Sequence, residues 1–225
     1  MITYSQGNAY EVIQKDVENS FHLLIGKSNT DIKTICVVGA YHGFEIVPLL
    51  ANYPNASIHA FEAHPEHFEV LSRTFGGNPR VVLYNKVVSD KVGEVDFFEL
   101  TVEGSGSMHK FQGDKHGHPF SIKEKLVLPS TTLKNDLGDI NIDLLWVDVQ
   151  GAELEVLKGV DTKRCASLFL EIHTHDFIKK WDEEPYKGQC YKEDLEKYLT
   201  YHTLYSIGLD NANGNGQGNS FWIKK

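Results

Sequence analysis

Cysteine is scarce and poorly placed for cross-linking: Cys36, Cys165 and Cys190 are the only three in 225 residues. An odd count without a CxxC pair argues against a disulfide framework and against a zinc knuckle. The expectation is a reducing compartment, with Cys36 a small core residue in an apolar run. No apolar run is long enough to span a bilayer. The opening MITYSQGNAYEVIQKD has neither the basic nor the apolar region of a secretory leader. A cytoplasmic location and no membrane partner are therefore expected. Basic blocks are missing too. Lys and Arg total 22 against 31 Asp and Glu, a net charge of −9, and the lysines are scattered. Such a surface does not attract phosphate backbones, so no nucleic-acid partner is expected.

What remains is an ordinary globular chain. Its 41% hydrophobic content supports a sizeable core, and its length fits one domain, here taken as residues 1–225 with a helical extension at 1–32. Val12, Ile13, Val17, Phe21 and Leu24 recur at helical spacing over 9–24. The β-branched run at 34–38 reads as a strand buried on both faces. A helix over 44–52, a strand at 57–61 and a helix over 64–75 follow, then strands at 80–84 and 93–100. Residues 101–125 are polar, rich in Gly and His and without periodicity, and read as a long substrate loop. A strand at 142–147, a helix over 152–158 stopped by Gly159, and a strand at 167–172 come next. A helix over 191–201 precedes a closing hairpin of 203–207 and 220–223, whose Gly/Asn tip at 210–219 reads as a flexible loop. This order predicts an α/β, Rossmann-like, doubly wound and mostly parallel sheet with an antiparallel C-terminal hairpin. Ligands in such sheets bind at the carboxyl ends of the strands.

Those ends carry the candidate chemistry. The first strand runs into Gly39-Ala40-Tyr41-His42-Gly43, a turn that lets backbone approach a ligand. The second ends in Glu62, placed to accept hydrogen bonds from ribose hydroxyls. The dinucleotide fingerprint needs three glycines so that a pyrophosphate can come close. Only Gly39 and Gly43 are present, which favours S-adenosylmethionine over NAD. Asp148 follows an apolar strand and lies at the crevice. Gly151 permits a sharp turn after it, and Glu153 falls in the first helical turn, where the dipole favours an acid. Glu171, His173 and His175 alternate onto one strand face while the strand lasts, and His173 is a candidate general base. His64 and His67 lie one turn apart, but no third ligand is at hand in sequence. A solvated helix face, with no metal, is the expectation. His109, His116 and His118 fall in the long loop, placed on the surface or against a substrate.

Six stretches together resemble the FkbM-type branch of the S-adenosylmethionine-dependent methyltransferases: VVGAYHG at 37–43, AFEAHPEHFEVL at 60–71, NKVVSDKVGEVDF at 85–97, STTL at 130–133, DLLWVDVQGAELEVLKGV at 143–160 and LFLEIH at 168–173. The segment around Asp148 is the most specific. The resemblance implies a cofactor pocket from Gly39, Ala40 and Gly43, with Tyr41 and Ala63 beside it, Glu62 on the ribose and Ser89 near the adenine. Asp148 would lie close to the sulfonium and the acceptor. The implied reaction is O-methylation of a small molecule or sugar, with Asp148 or His173 as base and Ser107, His109, Gln150, Glu153 and His175 toward the acceptor. Three positions depart from the family pattern. Val37 stands where an acid is usual, Tyr41 where asparagine is usual, and DVEGAE reads DVQGAE at Gln150. A non-catalytic binding or scaffold protein on the same fold therefore stays open beside the enzyme.

Overall fold

The computed structural model describes residues 31–113, 120–175, 184–209 and 216–225. The helix expected over 9–24, His116, His118 and the hairpin tip at 210–215 lie outside them. The described residues form ten strands: β1 (Thr34–Val38), β2 (Ser57–Phe61), β3 (Val81–Tyr84), β4 (Val87–Val88), β5 (Gly93–Leu100), β6 (Ile122–Thr131), β7 (Ile142–Val147), β8 (Cys165–His173), β9 (His202–Leu209) and β10 (Gln217–Lys224). The helices are α1 (Ile46–Asn52), α2 (Pro65–Phe75), α3 (Leu133–Leu137), α4 (Glu153–Lys158) and α5 (Lys192–Tyr198).

Seven strands form the main sheet in the order β3-β2-β1-β7-β8-β10-β9. β1, β2, β3, β7 and β8 pair in parallel, and β10 runs antiparallel between β8 and β9. The fold is thus α/β, mostly parallel, with an antiparallel C-terminal hairpin, as the order of elements predicted. Alternation along each strand builds a core on either face. Cys36, Val38, Leu145, Val147 and Leu170 point to one side and pack with Val156 and Leu157 of α4 and Leu195 of α5. Ile35, Val37, Ile58, Ala60 and Leu144 point to the other and meet Ile46 and Leu49 of α1 and Leu71 and Phe75 of α2. Val37 is fully buried in this second core.

Local sequence explains the helix starts. Pro65 opens α2, where its missing N–H costs nothing, with Glu66 in the first turn and Arg73 in the last. Pro48 is accepted in α1 because it sits in the first turn, whose N–H groups have no helical partner. Thr132 caps α3 by accepting from Asn135 N at 3.0 Å.

Two expectations need correction. Residues 101–125 are not one loop: β6 starts at Ile122 and forms, with β4 and β5, a second sheet in the order β4-β6-β5. Its charged stretch IKEKL hides the strand, because one face of the pair stays exposed and accepts lysine and glutamate. The helix at His64 and His67 does not present them to solvent either. His64 is 3% exposed, because the first turn of α2 lies against β5 rather than outward. No helix among the described residues is long and apolar enough to cross a membrane.

Candidate active site

The strand register assembles the site. Val38 is level with Phe61 and with Val147, Phe61 with Tyr84, and Val147 with Leu170. The next residue of each chain segment therefore falls in one row along the carboxyl edge: Gly39, Glu62, Asn85, Asp148 and Glu171. The order reverses between β1 and β7, which makes this edge a topological switch point. A cleft opens there, lined from both halves of the sheet by Gly39, Glu62 and Asp148 among others.

Gly39 has φ +83, and a Cβ on it would fall 1.8 Å from the carbonyl oxygen of Asp148. Only glycine allows β1 and β7 to come this close at their ends. Gly39 and Ala40 both donate their N–H to Phe61 O at 3.0 Å. Gly43 also has positive φ, but its missing Cβ would run into Phe75 and Leu71 of α2. Its smallness serves helix packing. Tyr41 sits at φ 46, and its N–H donates to Glu62 Oε2 at 2.7 Å. Its ring stacks on His42 with centroids 3.8 Å apart, and its hydroxyl donates to Glu103 Oε2 at 3.1 Å.

Glu62 also accepts from His64 N at 2.8 Å through Oε1. Burial raises its carboxyl above the ordinary value, although these backbone N–H bonds oppose the rise. Asn85 donates to the carbonyls of Glu62 and Ala63 at 2.9 and 3.1 Å and fixes the turn into α2.

Across the cleft, Asp148 belongs to a cluster of buried acids. Gln150 Nε2 donates to Asp148 Oδ1 at 2.7 Å and to Glu171 Oε1 at 3.2 Å. Gln217 Nε2 donates to the same Glu171 oxygen at 2.6 Å. The Tyr186 hydroxyl donates to Ser105 O at 3.0 Å and lies 3.5 Å from Gln150 Oε1. Burial raises both carboxyls, Glu171 the more strongly because the charges of Asp148 and Glu153 add to it. Asp148, which gains hydrogen bonds from Gln150 and Glu171, is the member better able to hold the charge. Glu153 is fully buried and accepts from Val149 N and Gly151 N, each at 3.2 Å. Burial pushes it up to about 7.

Of the residues expected from sequence, Gly39, Tyr41, Glu62, Ala63 and Asp148 line the cleft. Ala40 and Gly43 lie behind that lining. Ser89 is fully buried one residue beyond the lining pair Val87 and Val88. Gln150 and Glu153 stand behind Asp148. Ser107 pairs with Phe98 in the loop that lines the cleft and reaches Val149 O at 3.4 Å. His109 faces Glu155 at 3.5 Å, which raises its imidazole against the opposing effect of burial. His173 is 1% exposed and outside the lining, and burial lowers it to about 4. His175 falls past the end of β8, where its ring stacks on Tyr191 at 4.3 Å and its side chain is 58% exposed. It therefore does not join Glu171 and His173. Sequence reasoning placed the loop that carries Gly104 and Met108 at the acceptor side but missed His67, Phe97 and Glu99, all of which line the cleft. Their signal was absent because β5 and its following loop reach the edge through a separate sheet.

The family model described as Methyltransferase FkbM domain matches residues 38–202. A curated 2-O-methyltransferase, NoeI of Sinorhizobium fredii, is 25% identical over 166 residues, 68% of this chain and 65% of that protein. Methyltransferase sdnD of Sordaria araneosa is 30% identical over 155 residues, 55% of this chain and 58% of that one. The chain thus spans less than two thirds of the length of these curated relatives. Among solved structures, Aeropyrum pernix fibrillarin, natively bound to S-adenosyl-L-methionine, superposes with TM-score 0.50 at 8% identity, covering 92% of this chain and 74% of that one. With a family model matched from the glycine turn through the start of β9, the chain belongs to the FkbM methyltransferase family.

Proposed function

We propose that the chain transfers a methyl group from S-adenosylmethionine to a hydroxyl oxygen of a small molecule or carbohydrate. The observation that carries this reading is the row Gly39, Glu62 and Asp148 at the switch point, facing one cleft. These residues fit the cofactor. Glu62 is a buried carboxylate held by two N–H groups on the cleft wall, with lone pairs left for two ribose hydroxyls. Phe61, Val87, Val88 and Phe97 supply apolar wall for a base. Glu62, Glu99 and Asp148 give the cleft an acidic lining, which suits a sulfonium cation. Only two glycines stand in the turn, which suits a cofactor without a pyrophosphate. NoeI, named as a 2-O-methyltransferase, supports oxygen as the acceptor atom.

When bound, the cofactor supplies a methyl group already activated on sulfur. The chain's task is to place the acceptor oxygen in line and to take its proton. Asp148 is the residue of this chain placed for both. It lines the cleft, and Gln150 fixes the orientation of its carboxylate through Oδ1. Asp148 would take the proton of the acceptor hydroxyl as that oxygen is methylated. The loop carrying Gly104, Gly106 and Met108 forms part of the cleft wall. His173, outside the lining and lowered to about 4, is the weaker candidate base.

Calorimetric titration with S-adenosylmethionine, S-adenosylhomocysteine and NAD tests the cofactor. Binding of both sulfur ligands but not NAD is expected. Labelled methyl transfer to a panel of glycosides and small alcohols then tests the acceptor. Absence of binding by either sulfur ligand would overturn the reading in favour of a scaffold on the same fold.

A further inference from the structure

We infer that His64, His67 and Glu99 form a binding site for one divalent transition-metal ion of the zinc class, set in the wall of the cleft. The inference goes beyond methyl transfer and stands independently of it.

Two elements distant in sequence make the site. His64 is the extended residue capping α2, and His67 follows three residues later on the same helix face. Glu99 comes from β5, where the register with β6 shifts between Glu99 and Leu100. Alternation along β5 puts Glu99 on the same inward face as Phe97, and it is 2% exposed. One ligand atom from each residue lies within 4.8 Å of the others. His64 Nε2 is 3.1 Å from Glu99 Oε2.

The polar atoms there are not satisfied by the protein. Among the described residues, neither ring nitrogen of His64 nor Glu99 Oε2 has a hydrogen-bond partner. The 3.1 Å contact has the length but not the alignment of one. Buried imidazoles normally satisfy both nitrogens. Nitrogen and oxygen lone pairs converging on a point without hydrogen bonds is an arrangement that a cation completes. The other Glu99 oxygen, Oε1, is held by Lys123 Nζ at 3.3 Å, so the carboxylate would bind through Oε2 alone. Two imidazoles and one carboxylate are a zinc donor set with a fourth position open. They do not suit magnesium or calcium, which take oxygen ligands. A tetrahedral zinc site places ligands about 3.4 Å apart, so closure from 4.8 Å asks for a shift of up to about 1.4 Å.

Glu62 Oε1 lies 3.8 Å from His67 Nδ1. The carboxylate proposed for the ribose would thus also orient a metal-bound imidazole from outside the ligand set. The ion would pin the start of α2 to β5 and hold the cleft wall in place.

The test begins with full-length protein stripped by a chelator and titrated with Co2+, then Zn2+. One equivalent of Co2+ is expected to give visible ligand-field bands that Zn2+ abolishes, with a rise in melting temperature. His67→Asn and Glu99→Gln, each checked for folding by circular dichroism, are expected to weaken binding at least tenfold. No bands and no melting shift in the wild-type protein would overturn the proposal. Undiminished binding in both variants would do the same by placing the ion elsewhere.

Discussion

Gln150 donates its side-chain amide to Asp148 Oδ1 at 2.7 Å, and this one bond orients the carboxylate at the centre of the cleft. The same amide nitrogen reaches Glu171 at 3.2 Å, so a neutral residue bridges two acids in a buried space. Here Glu171 and Glu153 are already buried beside it, and a further carboxylate would have no donor to offer Asp148.

Gln150→Glu is therefore expected to destabilise the protein by about 3 kcal/mol above neutral pH, the cost typical of an uncompensated buried charge. The loss should shrink as the pH falls and the added carboxyl takes a proton. Urea unfolding at pH 5 and pH 8 measures it, and equal losses at the two values would contradict the argument.

Glu153 gives a second pH effect. Burial raises it to about 7 from an ordinary 4.5, so the folded chain binds its proton more tightly than the unfolded chain does. Its contribution is complete below pH 4.5 and is lost as pH rises to about 7, a total of about 3 kcal/mol. Glu153→Gln keeps an oxygen for Val149 N and Gly151 N. The variant is expected to be more stable than the parent at pH 8 and to lose less stability between pH 4.5 and 7.

His173 acts in the opposite sense. Burial lowers it to about 4 from 6.5, so its contribution is present above pH 6.5 and is lost as pH falls to about 4. This too amounts to about 3 kcal/mol. His173→Phe should flatten the acid limb of the stability profile without altering the Glu153 limb. Because the two slopes overlap between pH 4.5 and 6.5, the two variants are needed to separate them.

The same substitution separates the candidate bases. Asp148→Asn is expected to lower turnover by roughly a hundred- to ten-thousandfold, whereas His173→Phe should change it by less than about tenfold. Initial rates with labelled cofactor decide it. A large loss with His173→Phe in a folded protein would move the base to His173.

Gly39→Ala tests the close approach of β1 and β7. Its Cβ would meet Asp148 O at 1.8 Å, at a φ of +83 that L-residues rarely adopt. Destabilisation of about 3 kcal/mol or more is expected. At Gly77 an added Cβ meets nothing within 4 Å, so Gly77→Ala should stay within about 1 kcal/mol of the parent.

Much of this molecule is legible in its sequence, because period and punctuation are local. The buried β-branched run ending at Gly39, the acid after Phe61 and the acid after Val147 each announce a strand end. Parallel pairing converts strand ends into one row, so local pattern alone suffices to put Gly39, Glu62 and Asp148 on a common edge. The tertiary structure decided the rest, where partners are remote. Glu171 meets Gln150 across 21 positions because β8 pairs with β7. Glu99, on the inward face of β5 with Phe97, reaches His64 because the start of α2 packs against that face. Sequence periodicity reports which face of an element is apolar, but not which polar residues of another element that face will meet. For that reason the strand edge was readable from sequence, while the histidine–glutamate cluster and the amide bridging two acids were set only by the packing of two sheets.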